Sequence, residues 1–146
     1  MKIIIVGDGK VGATLVEHLS LEGHDIIVID RDQKVIEQIV NSYDVMGVCG
    51  NGASYEVQLE AGVGDAQLFV AATSSDELNI LSCLMAKKAG AEHTIARVRN
   101  PDYLKQVPFY EDTEMALMDT HYYGGIKKYQ WVAQPMAIHG ALAKKD

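Results

Sequence analysis

Four β-branched residues running straight into a glycine-rich turn dictate how this chain begins. Ile3-Ile4-Ile5-Val6 has no polar residue to offer solvent, and it ends at Gly7. A strand with both faces apolar suits the interior of a parallel sheet, where helices cover both sides. From Val11 to Glu22, Val11, Leu15, Val16 and Leu19 recur at helical spacing, and Gly23 closes the segment.

The same alternation continues. Ile26–Ile29 reads as a second buried strand ending at Asp30, and Asp32 is placed to cap a helix carrying Val35, Ile36, Ile39 and Val40. A third strand is expected near Asp44–Val48, then the turn Gly50-Asn51-Gly52 and a short helix over about Ser54–Ala61. Leu68–Ala72 is a fourth strand. Ser75 or Asp76 caps the next helix, whose first turn is acidic, as the helix dipole favours. Thr94–Val98 is a fifth strand, and Asn100-Pro101-Asp102 opens a further helix with proline in its first turn. Met115–Met118 suits a sixth strand at the sheet edge. Tyr122–Gly125 is a turn signal, and one short helix is expected near Pro135–Lys144. Five βα units in a row predict an α/β fold: a Rossmann-type, doubly wound parallel sheet in a single domain. Its right-handed crossovers put the carboxyl ends of the strands on one rim. Residues 1–120 are assigned to this domain and 121–146 to a carboxyl-terminal extension.

Charge narrows the function. The chain of 146 residues has a formal net charge of -7 and lacks the basic face of a nucleic-acid binder. The imbalance is uneven: residues 1–120 hold nine Lys/Arg against nineteen Asp/Glu, whereas 121–146 hold four lysines and one acid. No apolar run reaches 18 residues, so contact with a membrane is expected to go through a partner. Cys49 and Cys83 each lie in an apolar run and read as buried free thiols. The five histidines form no ligand-spaced pair, so no metal site is expected.

Gly7-Asp8-Gly9-Lys10-Val11-Gly12 is G-x-G-x-x-G, lying between a buried strand and an amphipathic helix as that pattern requires. Gly7 permits the tight turn, Gly9 presents no Cβ to a pyrophosphate, and Gly12 lets the helix pack close on the sheet. The free N–H groups at the helix start favour an anion there. Asp30, 21 residues after Gly9, is placed to accept from the ribose hydroxyls of an adenosine. Its charge disfavours a 2′-phosphate in spite of Arg31 beside it, so NAD(H) is the expected cofactor. Asp8 is anomalous in this loop: it should weaken phosphate binding unless it faces solvent or meets a cation, for which Lys10 is the candidate.

The segments Gly7–Gly12, Asp30, Gly50–Ala53, Ala72–Asn79 and Ala96–Pro101 together resemble the KTN/RCK nucleotide-binding domain of TrkA-type regulators of potassium uptake. The similarity covers about residues 1–105. It implies a cytoplasmic regulatory domain that binds NAD(H), or ATP/ADP in some relatives, forms a homodimer and possibly a ring, and gates a membrane potassium channel or transporter. It further implies that Asn51, Gly52 and Ala53 line the adenine side, that Ala72, Thr73 and Ser74 approach from the fourth strand, and that Arg97 reaches the phosphates from the fifth. Asp76 and Glu77 are read as helix-capping acids. The stretch 106–146 departs from the family's usual sixth strand and crossover helix.

The rival reading is a small NAD-dependent oxidoreductase. Such an enzyme needs a substrate pocket and a positioned acid or base, for which about 40 residues remain beyond the fold. Tyr123 and Lys127 have the spacing of one such pair, but Gly124 and Gly125 disfavour the helix that would stack them, by ~2 kcal/mol. No catalytic residue is assigned.

Overall fold

Strand and helix alternate along the chain much as the periodicity requires. In a computed structural model the described residues are 1–106, 115–119 and 130–133. The elements are β1 (Lys2–Val6), α1 (Lys10–Leu21), β2 (Asp25–Asp30), α2 (Gln33–Ser42), β3 (Met46–Cys49), α3 (Tyr55–Glu60), β4 (Leu68–Ala71), α4 (Asp76–Lys88), β5 (His93–Val98), α5 (Pro101–Leu104), β6 (Met115–Asp119) and β7 (Gln130–Ala133). A 3-10 turn at Val63–Asp65 links α3 to β4.

The sheet order is β3-β2-β1-β4-β5-β6-β7. Every pairing from β3 across to β6 is parallel, and β7 joins β6 antiparallel. Chain order therefore runs outward from β1 in one direction as far as β3, then resumes at β4 and runs the other way. The switch point lies between β1 and β4, where a doubly wound sheet opens a crevice beyond its carboxyl ends.

Alternate residues of each strand enter opposite cores. Ile4, Val6, Ile27, Ile29, Phe69, Ala71, Ala96 and Val98 face one layer, which Val57 of α3, Cys83 and Ala86 of α4 and Tyr103 of α5 complete. Ile3, Ile5, Ile26, Val28, Leu68, Val70 and Ile95 face the other, against Val11, Val16 and Leu19 of α1 and Ile36 and Ile39 of α2. Because each strand of this interior is covered twice, its residues have no polar face, which is why Ile3–Val6 is continuous rather than alternating.

Three expectations need correction. Met115–Asp119 is a strand, but it does not form the edge: β6 lies between β5 and β7, and β7, from the weakly patterned stretch past residue 120, extends the sheet. Cys83 is buried, with its thiol donating to the Ile95 carbonyl at 3.3 Å, whereas Cys49 is exposed. Cys49 belongs to β3, the outermost strand at the opposite end of the order, and there only Val48 is buried. An apolar sequence run cannot tell an edge strand from a central one. The boundaries of α1, β3 and α3 also shift by one or two residues, as helix and strand ends commonly do. The turn at Tyr122–Gly125, the Tyr123/Lys127 spacing and the helix near 135–144 lie outside the described residues.

Candidate functional site

The glycine loop crosses the switch point with each glycine in a different role. Gly7 has φ +93°, which L side chains rarely adopt, and its N–H donates to the Ile29 carbonyl at 2.8 Å. A Cβ on Gly12 would collide with the carbonyl oxygen of Gly7. Gly9 is the opposite case, exposed, with no atom within 4 Å of where its Cβ would stand. It is the N-cap of α1.

That cap is unusual in this molecule. Asp32 accepts from Lys34 N–H at the start of α2, Ser54 from Val57 N–H in α3, Ser75 from Leu78 N–H in α4, and Asn100 from Asp102 N–H in α5. Helix α1 has no side-chain cap and no acid in its first turn. Its leading N–H groups, from Lys10, Val11 and Gly12, have no carbonyl within the helix to bind and lie at the positive end of the dipole. Val11 buries its side chain and Lys10 is exposed.

Asp30 closes one side of this opening. Its Oδ2 accepts from Asp8 N–H at 3.0 Å and its Oδ1 from Asp32 N–H at 2.9 Å, so the carboxylate ties the glycine loop to the start of α2. Each oxygen keeps a lone pair for a further donor. Arg31 is exposed, and its carbonyl accepts from the Cys49 thiol at 3.4 Å. Asp8 is half-buried, and its carboxyl does not meet Lys10. Its Oδ1 is buried without a hydrogen-bond partner among the described residues. Burial, and then the Asp30 charge, push it up to about 6 from its ordinary value near 3.8.

The turn after β3 is fixed to the same corner. Gly50 N–H donates to the Asp30 carbonyl at 2.8 Å, the Asn51 side chain accepts from Ala53 N–H at 3.0 Å, and Gly52 packs so closely on Val6 that a Cβ would overlap it. Gln58, fully buried on α3, donates through Nε2 to the Gly52 carbonyl at 2.7 Å and the Ser82 carbonyl of α4 at 3.0 Å.

Across the crevice, the β4–α4 segment follows Ala72, which is buried. Thr73 abuts Gly7, with 3.0 Å from its backbone nitrogen to the site of a Gly7 Cβ. Thr73 is held by Asn79, whose Oδ1 accepts from its N–H at 2.9 Å and its hydroxyl at 2.6 Å. The Asn79 amide donates to the carbonyls of Thr73 at 3.0 Å and Arg97 at 2.9 Å. Arg97 lays its guanidinium on the Thr73 carbonyl at 3.3 Å, and Arg99 reaches the Ser74 carbonyl at 2.9 Å. Burial and the neighbouring Arg99 charge draw Arg97 below its usual value, while Asp76 works the other way.

The residues expected at the site thus gather on one rim, at the carboxyl ends of β1 to β5. Asp76 and Glu77 are not caps. Ser75 takes that part, while the Asp76 carboxylate accepts from the N–H groups of Arg99 and Asn100 at 3.0 and 2.7 Å, and Glu77 accepts from the Tyr103 hydroxyl at 2.9 Å. The Glu77 carboxyl is held below its ordinary value by hydrogen bonds from its own backbone N–H and from Tyr103. Asn79 and Gln58 had no assigned role in the sequence. Their one signal is a carboxamide on the inward face of a helix, where an unbonded polar group would be costly.

A doubly wound sheet with an open glycine loop at its switch point and a carboxylate at the end of the adjacent strand defines a Rossmann-type α/β domain. Within that class the sequence profile of the TrkA-N domain matches residues 3–111, and the chain belongs to that family. TrkA-N domains are regulatory rather than catalytic, which removes the oxidoreductase reading. Over 103 residues the chain is 38% identical to the Trk system potassium uptake protein TrkA homolog of Methanothermobacter thermautotrophicus, covering 70% of this chain and 48% of that one. Over 104 residues it is 44% identical to the homolog from Archaeoglobus fulgidus, covering 71% and 23%. It therefore spans half or less of these relatives. A shorter stretch of 43 residues, 30% of this chain, is 70% identical to the probable M18 family aminopeptidase 1 of Clostridium acetobutylicum but is only 9% of that protein.

Among solved structures, the TrkA-N domain of the Escherichia coli inner membrane protein ybaL superposes with a TM-score of 0.69 at 20% identity, covering 80% of this chain and 84% of that one. The GsuK channel bound to NAD gives 0.64 at 20% identity, over 77% and 20% of the two chains. An AMP-bound Shewanella denitrificans Kef CTD gives 0.65 at 22%, over 79% and 70%. At these identities the likeness is one of fold.

Proposed function

We propose that this domain is a nucleotide sensor of a Trk-type potassium uptake system, with NAD(H) as its ligand and ADP or ATP as the alternative occupants of the same crevice. The observation that carries this reading is the bare start of α1. Four helices satisfy their first turn with a side chain of their own, and the helix beneath the open Gly9 does not. A diphosphate supplies the missing acceptors there.

In this reading Gly7 to Gly12 hold the diphosphate, with the backbone of Lys10, Val11 and Gly12 as donors. Asp30 takes the adenosine ribose through its remaining lone pairs. Asn51, Gly52 and Ala53 border the adenine, and Ala72, Thr73, Ser74 and Arg97 close the crevice from the β4 side. The names of the similar structures, one NAD-bound and one AMP-bound, support an adenine nucleotide without choosing among its forms. The potassium-uptake relatives support a role beside a membrane potassium transporter; in this reading the domain sits on its cytoplasmic face, in a homodimer or larger ring. Among the described residues no helix is long and apolar enough to cross a membrane.

Calorimetric titration of the chain with NAD, NADH, NADP, ATP and ADP tests the reading. Expected is saturable one-site binding of an adenine nucleotide, with NADP at least about tenfold weaker than NAD, ~1.4 kcal/mol or more. Equal millimolar binding of all five would overturn it.

A further inference from the structure

The Asp8 side chain has no role in the recognition scheme above, yet it occupies the second position of the glycine loop. Its backbone N–H is bound to the Asp30 carboxylate at 3.0 Å, which fixes the residue beside a second acid. Its Oδ1 is buried and unpartnered among the described residues, so its carboxyl is not spent on the fold. The charges around it come from every side of the crevice. Asp30 on β2 acts on it directly and unfavourably. Lys10 at the head of α1 and Arg31 after β2 are both exposed, and neither forms an ion pair with it. On the β4–α4 side the Thr73 hydroxyl is taken up by Asn79, and Arg97 on β5 lies along the Thr73 carbonyl.

A diphosphate on the bare start of α1 would bring further negative charge to this pair of acids. Two anions in one partly desolvated site disfavour each other, and the group that can shed its charge by taking a proton does so. Asp30 accepts a backbone donor on each of its oxygens. Asp8 has none on its Oδ1.

We propose that Asp8 is a specificity residue of the nucleotide crevice that couples binding to uptake of one proton: the neutral carboxyl admits the diphosphate, and the ionised one opposes it. This rests on the nucleotide reading given above. No bond is made or broken apart from the O–H on Asp8, and the proton comes from solvent. Since the free carboxyl is already raised to about 6, the response falls between mildly acid and neutral pH. A linked proton can change affinity by up to about tenfold per pH unit once Asp8 is ionised in the free protein.

The test uses the intact chain and NAD, whose diphosphate stays fully ionised over the range. Titrations at pH 5.5, 6.5 and 7.5 should show affinity falling about 25-fold in total, most of it above pH 6.5. At pH 7.5, buffers of different ionisation enthalpy should report uptake of close to one proton. Asp8→Asn should bind NAD with nearly the same affinity at all three pH values, at or above the wild-type value at pH 5.5, and take up no proton. A flat wild-type profile, or the same slope in Asp8→Asn, would overturn the proposal while leaving the nucleotide reading intact. No binding of NAD, ADP or ATP at any pH would instead overturn both. Should Asp8→Asn fold poorly, the proton count of the wild-type protein alone decides the matter.

Discussion

The two segments that flank the crevice solve the same local problem in opposite ways. The β4–α4 segment binds its own loose ends: Ser75 caps the helix, Asn79 takes both donors of Thr73, and Asp76 reaches across to Arg99 and Asn100. The β1–α1 segment is held by backbone geometry, with Gly7 turning at positive φ and Gly12 lying against the Gly7 carbonyl. Its first helical turn is left unsatisfied. A wall that satisfies itself is rigid without a ligand, whereas one that leaves N–H groups open has its shape set in advance and its hydrogen bonds waiting. The difference indicates which side of the crevice grips the anion and which side holds still.

The largest effect should come from disturbing the wall built of backbone. Gly12→Ala places a methyl group on the Gly7 carbonyl, a collision with main chain that no rotamer relieves. Overpacking of this kind costs about 3 kcal/mol, and chemical denaturation should show the midpoint falling accordingly. A variant as stable as the wild type would mean that the loop and helix are not in contact. Next comes the other wall. Asn79→Ala strips two acceptor contacts and two donor contacts from a fully buried site, leaving Thr73 N–H and the Thr73 and Arg97 carbonyls short of partners. A loss of about 2–3 kcal/mol is expected. Proteolysis should then cut first in the β4–α4 segment, and a loss below ~0.5 kcal/mol would show that this wall does not depend on its side chains.

How much of this could be read from the sequence follows the same division. The glycine loop was legible because its requirements are backbone requirements. Only glycine tolerates the φ of Gly7 or the close approach at Gly12, so the chemistry appears as letters at fixed spacing. The sheet interior was legible because double coverage leaves Ile3–Val6 and Leu68–Ala71 without a polar face. Asn79, Gln58 and the true partners of Asp76 were not, since their partners are mostly backbone carbonyls and N–H groups 6 to 24 residues away, which carry no side-chain signature. Cys49 was misread because burial at a strand depends on sheet order, and order is a property of crossovers rather than of composition. Gln130–Ala133 is only four residues long, and its antiparallel pairing with β6 leaves no period to detect.

Removing a cap sharpens the contrast on the self-satisfied side. Ser75→Ala loses the bond to Leu78 N–H, 3.2 Å long, and should destabilise the domain by ~1 kcal/mol. Acids at Asp76 and Glu77 remain in the first turn, so the dipole keeps part of its compensation and the loss stays modest.

Adding a cap on the other side produces the smallest change in stability and the most telling one in binding. Gly9 has φ -72° and ψ -169°, an extended conformation open to any residue, and empty space surrounds its Cβ direction. Gly9→Ser can therefore enter without strain and turn its hydroxyl onto the first turn of α1. Serine exceeds glycine as an N-cap by only a few tenths of a kcal/mol, so the unliganded domain should become slightly more stable. The same hydroxyl would occupy N–H groups assigned to the diphosphate and stand where the ligand must pass. Affinity for NAD should fall while the thermal midpoint without ligand holds or rises. If stability and affinity rise together, the bare helix start is not the anion site, and the distinction between the two walls loses its functional meaning.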